Sequence, residues 1–454
     1  MEFSSLIFIY GFLPLSIALY YAFPVKHRDK VLLLISAVFC AAQSLYFLGF
    51  TAVYILFNFI AGKAVEATGN KKRLSASVLA VGIAADISAF ILLKSELFSG
   101  EFPVLGFIGI SSMTMSAVGY LSDVFRGRIK AEKNIMRLAL FIIFFPKLPL
   151  GPPLSYSSFT GMLRKKKTGL SEIGAGLGIF MIGLAKKVIF ADNIYQLYTA
   201  VSSAEVRSIS ALSAWLGAFA YMLSLYFSLS GIADMGIGAA RCFGIKMPQS
   251  FNYPVFSIGI RDFCIKWHIP AVRWIRHYII TPLTALSKKK KWQTALITIA
   301  AWGIFGLWYE LSFNKLIWGL FIGTALVIES NFSSQKGIKA ASVVYTLFVM
   351  LLCWGFFFGD SLSYSLHYLI AMIGGNNNIA DSVSLYLLKY YAVLLLAGAY
   401  AATDLFRNLI VKSKKIKLRK AMEIISPVCW LALLIICTAL ISYSGTSEVL
   451  LLKM

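Results

Sequence analysis

Acidic residues are scarce. Asp and Glu number 20 against 43 Lys and Arg, there are four histidines, and only 14% of the 454 residues carry charge. A soluble enzyme of this length needs far more polar surface than that, so an ordinary soluble fold is excluded. The six cysteines, Cys40, Cys242, Cys264, Cys353, Cys429 and Cys437, form no CxxC pair and mostly lie in or beside apolar runs. They read as small core residues, with neither disulfide nor metal ligation implied. No GxGxxG follows a strand-like run, so nothing supports a dinucleotide fold. The formal charge of +23 is not accompanied by any nucleic-acid-binding motif. The opening MEFSSLIFIYGFLPLSIALYYAF has no basic stretch and no small-residue cleavage site, and is expected to be a retained first span.

What is present is apolar length. Hydrophobic side chains make up 59% of the chain, arranged in runs near the roughly 20 residues that cross a bilayer. Twelve crossings are expected, at 6–23, 31–45, 48–65, 78–93, 104–121, 173–190, 209–229, 292–308, 316–328, 341–358, 385–402 and 424–441. Lys and Arg gather in alternate connections, at 26–30, 71–73, 126–133, 164–167, 241–291, 336–339 and 407–420. That alternation places those loops in the cytoplasm and both termini outside. For the parity to hold, 135–153, ending FFPKLPLGPP, must enter and leave on one side. Its prolines and Gly151 suit a re-entrant piece buried in protein. No repeat and no soluble domain boundary is visible, so 1–454 reads as a single integral membrane domain.

The stretch 251–323 concentrates the ionisable residues that are costly among apolar runs: Asp262, Lys266, His268, Arg273, Arg276, His277, Tyr309 and Glu310. Segment 241–291 mixes Arg273 and Arg276 with Trp274, Tyr278 and Ile279, which also suits an amphipathic helix lying on anionic lipid. An imidazole such as His268 can serve as a general base near neutral pH, although a lone histidine beside a tryptophan is more often structural. Asp234 sits among Gly231, Gly236 and Gly238, glycines that serve close helix packing as readily as ligand binding. Asp86, Lys186, Lys187 and Asp192 fall within or at the ends of runs, where an ion pair that fixes packing is at least as good an explanation as function.

Taken in order, YLSDVFRGRIKAEKN from Tyr120, FFPKLPLGP from Phe144, GLAKKVIFADN from Gly183, SGIADMGIGAARCFGIKMPQSFNYP from Ser230, KWHIP from Lys266 and GLWYE from Gly306 make the chain resemble the membrane-bound O-acyltransferase family. The likeness is to its bacterial branch, which includes the alginate O-acetylation membrane protein and the teichoic-acid D-alanine transfer protein. The resemblance implies an all-α ring of about twelve transmembrane helices around a thin re-entrant core pierced by a funnel. It implies an acyl group, acetyl in the first instance, moving from a cytoplasmic thioester donor, acyl-CoA or an acyl carrier, to a hydroxyl of an envelope polysaccharide. Accessory envelope-modification proteins are the implied partners, with no tightly bound cofactor and no metal.

By the same resemblance, Trp267 and His268 match the family's Trp-His pair, while Tyr309 and Glu310 stand where the family's principal histidine and the glycine after it are expected. Asp234, Trp267 and Trp308 are the expected substrate contacts. Ser228, Pro270, His277, Thr284 and Ala285 also depart from the family pattern. A phenol with pKa near 10 is protonated at neutral pH, so Tyr309 is suited to donate a hydrogen bond and not to take a proton. Two expectations follow: Glu310, if desolvated, replaces the missing base, or the chain is a catalytically impaired relative acting as scaffold or acyl conduit.

Overall fold

The computed structural model describes residues 1–94, 109–151, 153–286, 290–332, 339–405 and 416–443. The start of the expected 104–121 run, most of the basic loop 336–339 and the first part of 407–420 lie outside the described residues. The described residues are mainly helical and contain no strand. Among them, seven helices are long and apolar enough to cross a membrane: Leu45–Ala67, Lys72–Lys94, Leu170–Ser202, Ala211–Cys242, Phe313–Ser330, Ser382–Ala401 and Ser426–Tyr443. Ile7–Ala22 and Ala341–Phe357 are shorter apolar helices.

Among the described residues the expected twelve crossings are thus not all confirmed. The runs at 31–45 and 104–121 become helices Arg28–Ala41 and Ile110–Phe125, of 14 and 16 residues. At about 1.5 Å per residue these reach roughly 21 and 24 Å, short of a hydrocarbon core of roughly 30 Å. Twelve of the 16 residues of Ile110–Phe125 are buried, so this helix is held by protein and not by lipid. The third departure is 292–308, found as Lys291–Tyr309, whose apolarity falls short because Gln293, Thr294 and Thr298 dilute its first half.

The chain divides into two units. The first comprises Met1–Gly183, Ile232–Ser250 and Arg276–Tyr278; the second comprises Leu184–Gly231, Phe251–Ile275 and Ile279–Met454. Helix Ala211–Cys242 gives its first part to the second unit and its last part to the first. It is almost wholly buried, with 94% of its most apolar window inside the protein, against 6% for Ser426–Tyr443. Large apolar side chains cover the outward helices, among them Val81, Val393, Leu396 and Val428. Water does not tolerate so much contiguous apolar surface, whereas lipid does.

The first unit is built around phenylalanines. Phe3, Phe8, Phe12, Phe39, Phe145 and Phe180 pack ring on ring, with centroids 4.7 Å apart for Phe3 and Phe8 and 6.0 Å for Phe8 and Phe180. Into this core runs the expected re-entrant piece. Asn134 caps helix Ile135–Ile143 by accepting from the Met136 amide, and the helix stops at Phe144 ahead of Pro146. The backbone amides freed there are satisfied inside the protein, as when the Phe145 amide donates to Ser36 Oγ at 3.2 Å. Fully buried Lys147 donates to Ser116 Oγ at 2.7 Å and to the Phe141 carbonyl. Gly151 makes the exit turn possible, because a Cβ there would lie 2.1 Å from Lys147 Cα. Nine residues of helix followed by a break cannot reach the far side of a bilayer.

Candidate functional site

In the second unit two short helices, Ile260–Lys266 and Ile269–Ile275, meet at Trp267 and His268. Trp267 is extended, at φ −87° and ψ 124°, and ends the first helix. His268 then turns into the left-handed region at φ +41°. Its carbonyl accepts from the Ala271 and Val272 amides, at 3.0 and 3.1 Å, to start the second helix. Pro270 is tolerated because the first turn needs no amide from it. A positive φ is uncommon outside glycine and costs on the order of 1–3 kcal/mol, strain that tends to persist where the side chain must point one way.

The imidazole lies parallel to Phe251, 5.5 Å between centroids at 9°, and against Trp308 at 5.3 Å. It is 1% exposed, and among the described residues neither ring nitrogen has a hydrogen-bond partner. Leaving a buried polar nitrogen unpaired costs about 1–3 kcal/mol, so a merely structural residue here would be better apolar. Burial pushes the ring's pKa from its ordinary 6.5 down to about 3, and it is neutral at physiological pH. Because the folded value lies below the unfolded one, this residue's contribution to stability is complete above about pH 6.5 and is lost as pH falls toward 3. The thermal midpoint of the detergent-solubilised protein is therefore expected to fall between pH 7 and pH 5, and to fall less in a His268→Phe variant. Equal acid sensitivity in the two would refute this.

Tyr309 ends helix Lys291–Tyr309 and is 7% exposed. Its hydroxyl accepts from the Trp267 indole Nε1–H at 3.2 Å, and its ring meets Phe305, Trp318 and Phe357 edge-on. Trp267 is itself stacked on Phe263 at 5.3 Å and packed against Trp354 at 5.4 Å. Trp267, His268, Trp308 and Tyr309 thus form one cluster, with His268 on the Trp308 side and the phenol on the Trp267 side. Neither ring is open to water here, so access requires the surrounding aromatics to part.

What holds Trp308 and Tyr309 in place is the close crossing of Lys291–Tyr309 and Phe313–Phe332. A Cβ on Gly306 would lie 1.9 Å from the Lys315 carbonyl oxygen, one on Gly319 2.1 Å from the Trp302 oxygen, and one on Gly323 2.7 Å from Ile299 Cα. Gly306→Ala is accordingly expected to destabilise the protein by about 1–3 kcal/mol, read as a lowered unfolding midpoint. An unchanged midpoint would mean that the crossing is looser than described.

Glu310 is not the desolvated carboxylate that a substitute base requires. Its side chain is 39% exposed and forms an ion pair with Lys315 Nζ at 2.8 Å, while Lys315 is 7% exposed. Lys315 also donates to the Phe357 carbonyl. This lysine stands out in sequence as the one basic residue in its outer connection, five positions after Glu310, a signal that could have pointed to the pair. Phe251, which covers His268, carries no comparable signal. His277 belongs to the first unit, where Arg128 contacts its Nε2, Arg128 pairs with Asp123 at 3.2 Å, and Tyr278 donates to Asp123 at 2.8 Å.

Asp234 is also a first-unit residue, half-buried on helix Ala211–Cys242. The glycines after it serve packing: a Cβ on Gly236 would meet the Pro146 oxygen at 2.3 Å, and one on Gly238 the Phe180 amide nitrogen at 2.5 Å. Lys187 pairs with Asp192, and Asp86 accepts from Asn58 at 2.9 Å. Among the described residues no three His, Cys, Asp or Glu side chains are grouped so as to hold a metal ion.

Helices that require a lipid surround place the chain among polytopic membrane proteins. Residues 125–367 match the sequence model of the membrane-bound O-acyltransferase family, and the chain belongs to that family. It is 30% identical to the "Probable alginate O-acetylase AlgI" of Azotobacter vinelandii over 84% of this chain and 80% of that one. It is 28% identical to the peptidoglycan O-acetyltransferase of Helicobacter pylori, covering 82% and 80%. The teichoic acid D-alanyltransferase of Bacillus subtilis is 25% identical, covering 58% and 71%.

Proposed function

We propose that this protein is an O-acyltransferase of the bacterial cytoplasmic membrane, moving an acetyl or similar acyl group from a cytoplasmic thioester to a hydroxyl of an envelope polysaccharide. The observation that carries the reading is His268, strained, buried and unpartnered at both nitrogens, in one cluster with Tyr309. A family membership and relatives named for acetylation and D-alanylation of envelope polymers support the substrate class.

In this mechanism the aromatics over His268 part to admit the substrates, which relieves the burial that depresses its basicity. The acceptor hydroxyl then attacks the thioester carbonyl carbon while His268 takes its proton. Negative charge develops on the carbonyl oxygen, and the phenolic O–H of Tyr309 donates to it. Trp267 holds the phenol by donating to its oxygen at 3.2 Å. The carbon–sulfur bond then breaks, and the imidazolium returns its proton to the departing thiolate. Ester and free thiol are the products.

A second reading is favoured by the closed aromatic packing over both rings: a relative that has kept the scaffold and acts as an acyl conduit. Purified protein in proteoliposomes, given radiolabelled acetyl-CoA or an acetylated carrier with a polysaccharide acceptor, separates the two. Transfer or thioester hydrolysis above protein-free background supports the enzyme. Silence with every donor and acceptor, from protein that is folded by its melting curve, supports the conduit.

A further inference from the structure

Within the first unit, three basic connections far apart in sequence come together. Lys166 pairs with Asp29, and Arg28 Nη1 donates to Thr168 Oγ1 at 3.1 Å, joining residues about 140 positions apart. Between them and the start of helix Ile135–Ile143 lies a cavity of about 300 Å³. Lys26, Lys30, Arg137 and Arg164 stand around it, and Asp29, already paired to Lys166, is the only carboxylate among the residues that line it. Arg137 shares one nitrogen with Glu132 at 3.6 Å and keeps its other donors. Asn134 and Thr160 add neutral polar groups, while Leu140, Leu163 and Met136 supply an apolar wall.

Four cations gathered round one cavity repel one another unless an anion sits among them. The helix Ile135–Ile143 begins at the cavity, so its amide end adds further positive potential. The planar guanidinium fork matches the paired oxygens of a phosphate, and the apolar wall favours an anion that carries a hydrocarbon tail. Basic cavities on the cytoplasmic side of membrane helices take phosphate-bearing head groups for these reasons.

From this arrangement we infer that the cavity is a binding site for a phosphate ester, held by Lys26, Lys30, Arg137 and Arg164. An anionic glycerophospholipid head group and a soluble phosphorylated metabolite present the same chemistry, and binding distinguishes them. The protein in neutral detergent is titrated with dioctanoyl phosphatidylglycerol, dioctanoyl phosphatidylcholine and adenosine 3′,5′-bisphosphate. Saturable binding of the glycerol lipid but not the choline lipid assigns a lipid head group, and saturable binding of the bisphosphate assigns a soluble phosphate.

In either case the triple variant Lys30→Ala, Arg137→Ala, Arg164→Ala is expected to weaken binding about a hundredfold, at about fivefold per cation. The same charge removed from another basic connection, by Lys71→Ala, Lys72→Ala and Arg73→Ala, is expected to change it less than about twofold. If the triple variant fails to fold, Lys30→Gln and Arg164→Gln singly are each expected to weaken binding about fivefold. No saturation with either phosphate, equal binding of the choline lipid, or equal weakening by the two triple variants overturns the assignment.

Discussion

Acyl transfer by a His268→Phe variant is expected to fall about 10²- to 10⁴-fold, the usual effect of removing a positioned general base, with no loss of thermal stability. Ordinarily, a substitution at a site 1% exposed is expected to weaken the fold. Here the opposing effects are unusually clear. A phenyl ring keeps the contacts with Phe251 and Trp308 and removes two buried nitrogens that have no hydrogen-bond partner, worth about 1–3 kcal/mol for each group relieved. The left-handed backbone at φ +41° strains histidine and phenylalanine alike, so that cost largely cancels in the difference. Alanine is a poorer test, because the cavity it leaves costs about 2–5 kcal/mol and confounds lost chemistry with lost folding. Measuring the melting midpoint and the initial transfer rate on the same preparation decides the matter. A variant that keeps the parental rate would remove His268 from the reaction.

For Tyr309→Phe the expected result is a fall in transfer of about 10²- to 10³-fold, the magnitude seen when one oxyanion donor is deleted. This variant should also lose about 1–3 kcal/mol of stability, because the Trp267 indole N–H loses its acceptor at 3.2 Å. The two substitutions thus differ in signature: loss of activity without loss of stability at 268, loss of both at 309. Tyr309→His adds the discriminating case. It restores an imidazole where the family resemblance implies one, so a conduit that has lost its chemistry should gain transfer from a silent parent. An enzyme that uses the phenol as a donor should already be active before the change. An active parent whose Tyr309→Phe variant is equally active would exclude the phenol as donor.

Much of the architecture was legible locally. Apolar run length marks helices such as Leu45–Ala67 and Ser382–Ala401, because a lipid surround demands about 20 apolar residues and internal backbone hydrogen bonds wherever the chain sits. The proline after Phe145 and the glycine at 151 likewise announce the break in the re-entrant piece. Helix Ile110–Phe125 was less legible, since an apolar run packed against protein looks the same in sequence as one packed against lipid.

The sequence by itself determined a helical membrane protein, its family, and the two short motifs, KWHIP and GLWYE, in which Trp267, His268, Trp308 and Tyr309 lie. These follow from composition, run length and residue order, which are local properties of the chain. Only the tertiary structure decided that Trp267 donates to a phenol 42 residues away, that Phe251 covers the imidazole, and that Glu310 pairs with Lys315. It alone gathered Lys26, Lys30, Arg137 and Arg164 around one cavity. The reason is physical: a side chain's charge state and partner depend on what distant helices bring against it, and burial, which sets both, is a property of the packed molecule.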